Sequence, residues 1–190
     1  MMRIITGRAR GIKLETLEGD MTRPTSERAK MAIFSSLQFQ IEGRRVLDLF
    51  AGSGQMGLEA LSRGARCAMF VDSERDVIEL VKRNAAYVGF SPVCKYLVSD
   101  WRNYIRKASA REKFDLVFVD PPYAMQCCAD AAALLAKSEL IIPGAIVVLE
   151  SGEEEILADD ERLAGYEVLK STHYGKKTFV NVLFFKGAEE

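Results

Sequence analysis

Residues 45–59 read RVLDLFAGSGQMGLE, and the reading of the whole chain turns on them. The first half, Val46 to Phe50, is a short apolar run carrying one carboxylate, Asp48. Such a run is expected of a strand buried on both faces, with a polar group near its carboxyl end. Gly52, Ser53 and Gly54 then allow a sharp turn, and from Met56 to Leu61 the apolar spacing becomes helical. Strand, glycine turn and helix together present backbone N–H groups to a ligand at the carboxyl edge of a parallel sheet. Gly52, Gly54 and Gly57 also satisfy G-x-G-x-x-G, with Asp72 about twenty residues further on. By itself that spacing fits a dinucleotide site and a nucleoside site equally.

The alternation of strand and helix continues downstream. Cys67 to Asp72 (CAMFVD) is a second strand ending in a carboxylate, and Ser73 is the expected cap of a helix with Val77, Ile78, Val81 and Ala85 on its buried face, closed by Gly89. Val93 to Val98 forms a third strand, ending at Ser99-Asp100, and Trp101 to Ala108 a short helix. Phe114 to Val119 (FDLVFV) is a fourth strand running into Asp120-Pro121-Pro122-Tyr123. A helix from about Gln126 to Lys137 and a fifth strand, Gly144 to Glu150, follow. Glu153 to Glu155 are expected to open another helix, their charges suiting its N-terminus. Finally, Tyr166 to Thr172 and Thr178 to Lys186 are β-like runs around Tyr174-Gly175-Lys176-Lys177, the pattern of an antiparallel hairpin.

The first forty residues stand apart. Arg3-Ile4-Ile5 and Ile12-Lys13-Leu14 flank Gly7 and Gly11, the pattern of a small β-hairpin. Arg3, Arg8, Arg10 and Lys13 all precede the first acid, Glu15, giving a local charge of about +4. These cations either guard an exposed strand edge or meet the phosphates of a nucleic acid. Thr25 is the expected N-cap of a helix that has Glu27 in its first turn, buries Ala29, Ile33 and Leu37, and ends near Phe39.

A length of 190 residues is enough for one domain with a full core, and a net charge of -1 means that any nucleic-acid partner must be met by a local basic patch. Cys67, Cys94, Cys127 and Cys128 form no C-x-x-C pair, and His173 is the single histidine, so no metal site is expected. The cysteines read as buried, reduced thiols of a cytoplasmic protein. The N-terminus lacks the apolar stretch of a signal peptide, and the longest apolar run, Ile141 to Leu149, is broken by Pro143 and Gly144, so no membrane span is expected.

Asp48, Asp72, Asp100 and Asp120 thus stand at four successive strand ends, where ligands of open α/β sheets bind. One such aspartate is more often a helix cap than a ligand group, but four in succession point to a site. Asp72 can accept both hydroxyls of a ribose, and Asp100 the amine of an adenine. Trp101 either covers that ring or fills the core beneath the next helix. In Asp120-Pro121-Pro122-Tyr123 the prolines remove two N–H donors and fix the chain, so that a carboxylate, a carbonyl and an aromatic ring converge. That group suits a planar base with an exocyclic amine.

These residues resemble the motifs of class I S-adenosylmethionine-dependent methyltransferases that modify exocyclic amino groups: VLDLFAGSG, Asp72, Ser99-Asp100 and DPPY. RIITGRARGIKL, TRPTSERAKMAIFSSL, LFAGSGQMGLEALSRGA and the tail YGKKTFVNVLFF are similar to the RsmD family of bacterial 16S ribosomal RNA guanine-N2 methyltransferases. The similarity spans essentially the whole chain and is looser at Lys30-Met31-Ala32 and Gln55-Met56. It implies an α/β fold with a seven-stranded, doubly wound, mostly parallel sheet ending in an antiparallel hairpin. It also implies one domain, in which residues 1–40 form a hairpin and helix extension and residues 41–190 the catalytic core. S-adenosyl-L-methionine would be held by Asp48, Phe50, Ala51, Gly52, Ser53, Gly54, Asp72, Ser73, Asp100 and Trp101, leaving S-adenosyl-L-homocysteine as product. Asp120, Pro121, Pro122 and Tyr123 would be catalytic, and Arg3, Arg8, Arg10, Lys13, Arg23 and Arg28 would contact ribosomal RNA in the small subunit or an assembly intermediate. A monomer is the expected state. The alternative is an adenine-N6 methyltransferase acting on DNA or RNA, since DPPY is shared with such enzymes. A nicotinamide oxidoreductase would share the glycine turn and Asp72 but leave DPPY and the terminal hairpin without purpose, and a non-catalytic RNA-binding module would need no cofactor.

Overall fold

The computed structural model describes residues 2–16, 24–107, 112–152, 160–175 and 177–187, with 24–27 by backbone alone. Seven strands form one sheet: β1 (Arg45–Asp48), β2 (Cys67–Asp72), β3 (Cys94–Val98), β4 (Phe114–Val119), β5 (Ile141–Ser151), β6 (Tyr166–Tyr174) and β7 (Thr178–Phe185). Their order is β3-β2-β1-β4-β5-β7-β6. β1 lies inside the sheet and pairs in parallel with β2 (Asp48 opposite Phe70) and with β4 (Asp48 opposite Phe118). β7 runs antiparallel to both β5 and β6. The strand order reverses between β1 and β4, so the carboxyl ends of these two strands bound the crevice in which such sheets bind ligands.

Helices α1 (Pro24–Ser36), α2 (Gln55–Ser62), α3 (Arg75–Tyr87), α4 (Trp101–Lys107) and α5 (Cys128–Lys137) cover the sheet. Side chains alternate across a strand, and two cores result. Val46, Leu116, Phe118, Ile146 and Val148 pack on one face with α1, α2 and α3 residues such as Phe34, Leu58 and Val81. Leu47, Val117, Val119, Val147 and Leu149 pack on the other with Tyr104 of α4 and Ala131 of α5. Phe114–Val119, Cys67–Asp72 and the terminal hairpin form as their apolar patterns predict.

Other boundaries move for local reasons. α1 opens at Pro24 rather than being capped by Thr25, because proline's fixed φ and missing donor suit the first helical position. Ser73 does not cap α3: its hydroxyl lies 3.4 Å from Glu74 Oε1, while Asp72 Oδ1 accepts the Glu74 N–H at 3.1 Å. α5 begins at Cys128 because a 3-10 turn at Tyr123–Met125 and a left-handed Gln126 (φ 44°) intervene. β5 starts at Ile141, and the expected break at Pro143-Gly144 is absorbed by a register shift against β4. The helix expected from Glu153, and Thr22, Arg23 and Lys176, lie outside the described residues. Cys127 and Cys128 are buried, and Cys67 and Cys94 half-buried. Among the described residues no helix is long and apolar enough to cross a membrane.

The N-terminal hairpin forms, with Arg3 bridged to Lys13 and the Ile4 N–H donating to the Ile12 carbonyl at 2.9 Å. It is latched onto α2. Glu59 accepts the Ile5 and Thr6 N–H groups at 2.6 and 3.0 Å, and Ser62 Oγ accepts the Ala9 N–H at 3.0 Å. Gly7 (φ 85°) comes so close that a Cβ there would stand 2.0 Å from the Ser62 carbonyl oxygen. The latch brings Met2 to the glycine turn, where Ser53 Oγ donates to its sulfur at 2.6 Å.

Candidate active site

A cleft of about 900 Å³ opens at the carboxyl ends of β1, β2, β4 and β5. One end is the turn after β1. Gly52 (φ 51°) has nothing within 4 Å of where a Cβ would project, so its backbone faces open space, and its N–H donates to Asp72 Oδ2 at 3.2 Å. Phe50, Ala51 and Ser53 line the same wall, with Asp72 and Ser73 beside them. Asp72 holds two backbone N–H groups, and the remaining lone pairs of its carboxylate stay available to hydroxyls. Asp100 and Trp101 close this end. Asp100 Oδ1 accepts the Asn103 N–H at 3.1 Å, starting α4. Trp101 is buried in the core against Phe50, with its ring centroid 6.1 Å away, and also lines the cleft.

Asp48 and Gly54 do not line the cleft, in contrast to the expectation from the sequence. The buried Asp48 turns one oxygen to the Gly57 N–H at 3.0 Å, fixing the start of α2 beneath the turn. Gly54 (φ 79°) donates to the Ala51 carbonyl at 2.7 Å, and a Cβ there would meet Val81 Cγ1 at 2.9 Å. A Cβ on Gly57 would stand 2.4 Å from the Phe70 ring. Of the three glycines in G-x-G-x-x-G, one faces the cleft and two let helices approach their neighbours.

The other end of the cleft is Asp120, Pro121, Pro122 and Tyr123. Tyr123 Oη lies 2.8 Å from Thr178 Oγ1 and 3.3 Å from Glu150 Oε1, so β7 and β5 fix the ring's far edge. Burial, aided by Glu150 and Asp120, pushes the Tyr123 phenol up to about 12. Burial also raises Asp120 above the usual carboxylate range, with Lys30 opposing, and pushes Glu150 up to about 8, with Asp120 adding to the rise. Asp48 is raised most by burial, with its bond from Gly57 opposing.

Lys30, Gln55, Met2 and Glu150 also line the cleft, and none was singled out by the motifs. For Glu150 a signal existed, since it closes an apolar strand with a carboxylate as Asp72 does. Lys30 follows Ala29 on the buried side of α1 and interrupts an apolar stripe. Among the cations expected at RNA, Arg3, Arg8, Arg10, Lys13 and Arg28 are exposed, whereas Arg23 lies outside the described residues. Arg8 is already engaged: it stacks over Phe90 at 5.3 Å and donates to the Leu61 carbonyl at 3.3 Å. The hairpin also contributes to the glycine-turn end of the cleft, because Met2 reaches it.

A parallel sheet of this order with an antiparallel β7, a glycine turn after β1 and an acid after β2 defines the class I methyltransferase fold. A family described as "Conserved hypothetical protein 95" matches residues 2–183, and the chain belongs to it, the RsmD family. It is 32% identical over 161 residues to Ribosomal RNA small subunit methyltransferase D of Haemophilus influenzae, covering 84% of this chain and 83% of that one. The protein of the same name from Escherichia coli is 32% identical over 153 residues, covering 80% of this chain and 76% of the relative. The solved structure of the Escherichia coli protein yhhF superposes with a TM-score of 0.85 at 28% identity over 99% of both chains.

Proposed function

We propose that the protein transfers the methyl group of S-adenosylmethionine to the exocyclic N2 of a guanine in small-subunit ribosomal RNA. The observation that carries this reading is a single cleft joining the glycine turn to Asp120-Pro121-Pro122-Tyr123 across the switch point of the sheet. The residues fit the cofactor. Open space at Gly52 admits its charged amino-acid end to the backbone, Asp72 suits its ribose, and Asp100 and Trp101 suit its adenine. S-adenosylmethionine, when bound, supplies an electrophilic sulfonium methyl. The Asp120 carboxylate and the Pro121 carbonyl accept the two hydrogens of the target amine, turning the nitrogen lone pair toward that methyl. Tyr123, its hydroxyl held by Thr178, offers its ring to the face of the base. Methyl transfer would release S-adenosylhomocysteine and make the amine acidic only as the new N–C bond forms, so Asp120 would take the proton without being a strong base. The rate comes mostly from alignment in a water-poor cleft. The names of the relatives support small-subunit RNA as substrate, and the exposed Arg3, Arg10, Lys13 and Arg28 offer cations for its phosphates.

Methyl-labelled S-adenosylmethionine, incubated with small-subunit RNA and particles from a strain lacking this protein, tests the reading by nucleoside analysis. Label is expected in N2-methylguanosine; label in N6-methyladenosine, or none, overturns it. Asp120→Ala should lower turnover at least about tenfold while leaving the calorimetric affinity for S-adenosylhomocysteine unchanged.

A further inference from the structure

Lys30 and Glu150 face the base end of the cleft, and the reaction described above leaves both without a part. Lys30 is 7% exposed, and its Nζ donates to Gln55 Oε1 at 2.9 Å. An ammonium has three hydrogens, and Gln55 takes one. Glu150 is 4% exposed; one carboxylate oxygen accepts from the Tyr123 hydroxyl, and the other is buried with no hydrogen-bond partner. A carboxylate on the cleft wall thus has acceptor capacity to spare, and a buried polar atom left bare is rare enough to call for a reason. The charge of Lys30 acts on both Asp120 and Glu150, and the two acids act on each other. One cation and two carboxylates therefore surround the point where the target base must sit.

The pleat explains why they meet. Phe118 and Val148 point to the face covered by α1, and counting two residues on from each reaches Asp120 and Glu150. Lys30 projects from α1 over that same face. A donor beside two acceptors is the complement of one base edge. Guanine presents an O6 acceptor, an N1–H donor and an N2 amine donor, whereas adenine presents an amine donor, a bare N1 acceptor and C2–H.

We propose, on the basis of the methyl-transfer reading above, that Lys30 and Glu150 select guanine by its Watson–Crick edge. Lys30 donates to O6 and Glu150 accepts from N1–H, beside the N2 amine held by Asp120 and the Pro121 carbonyl. Adenine would leave both carboxylates facing an acceptor or a C–H group, and such unpaired buried groups are what make a polar site selective. The N1–H donor favours the ionised form of Glu150 in the complex. A protonated Glu150 would instead donate to a bare ring N1.

The test uses small-subunit RNA carrying either guanine or 2-aminopurine at the position that the wild-type protein labels. 2-Aminopurine keeps the N2 amine but replaces N1–H by a bare nitrogen and has no O6. Above about pH 8, where Glu150 is ionised in the free protein, the wild-type protein should methylate guanine on the order of tenfold or more faster, in kcat/KM. Lys30→Met and Glu150→Leu should each bring that ratio toward one, with S-adenosylhomocysteine affinity retained. Equal wild-type rates on the two RNAs overturn the proposal without any variant, and so do variants that slow both RNAs alike. If N2-methylguanosine forms but the ratio is one, only this inference falls; if no guanine is methylated, the reading beneath it falls too.

Discussion

Glu150 carries its carboxyl into a site shared with Asp120, where water is scarce and a second acid is close. Burial is the larger cause of its rise to about 8, repulsion from Asp120 the next, and Lys30 and the Tyr123 hydroxyl oppose them. The folded protein therefore keeps this proton to higher pH than the unfolded chain does. Protonation favours the fold, and the stability linked to this group is lost as pH rises from the ordinary carboxyl range through about 8. Glu150→Gln removes that loss. Its melting temperature relative to the parent should climb from pH 5 to pH 8, by about 1–3 kcal/mol of stability, and level off above. Thermal melts of both proteins at several pH values decide it; a difference independent of pH would mean that Glu150 ionises in the normal range.

At the scale of elements, α2 is the hub. Its N-terminus is fixed by Asp48, its Gly57 packs on Phe70, and its last turn clasps the N-terminal hairpin. Glu59 is fully buried and gathers the Ile5 and Thr6 N–H groups and Arg63 Nε, the last at 2.7 Å. Glu59→Ala would leave two backbone donors and a guanidinium without their acceptor, and should destabilise the protein by about 2–4 kcal/mol. Denaturant unfolding measures this, and a loss under about 1 kcal/mol would mean that the hairpin holds by apolar packing of Ile4 and Leu14 alone. The terminal hairpin has a comparable task, since β7 supplies the Thr178 that anchors Tyr123.

Across the whole molecule, charge is distributed rather than abundant. The net charge is -1, yet the hairpin exposes Arg3, Arg10 and Lys13 and is tied to the cleft through Met2. If this face meets RNA, Arg10→Ala combined with Lys13→Ala should flatten the log–log salt dependence of small-subunit RNA binding by roughly 1.5 units, two phosphate contacts being lost. Stability should hardly move, because exposed charges contribute little to it. Anisotropy titrations across a salt series read the slope, and an unchanged slope would direct the search for the RNA face to Arg28 and Lys177. Arg8 does not suit this pair: its truncation also removes the stack on Phe90 and the bond to Leu61.

The local sequence determined the parts whose causes are local. CAMFVD and FDLVFV are strands because short apolar runs of that length suit a doubly covered sheet, and Asp72, Asp100 and Asp120 stand at strand ends because helices follow them. Prolines and glycines marked the turns because their backbone limits are intrinsic. What only the tertiary structure decided is which of these groups face one another. Asp48 and Asp72 both end strands on the same face of the sheet, but register sets Asp48 level with Phe70, two residues short of Asp72, so α2 covers Asp48 and Asp72 stays on the cleft. Gly52 and Gly54 share a motif, yet Val81 crowds one and the cleft opens at the other. Lys30 and Glu150 lie far apart in the chain and come to one cleft through the docking of α1 on the sheet. Strand parity could be counted beforehand, but the helix that covers each face is set by packing across the whole sheet.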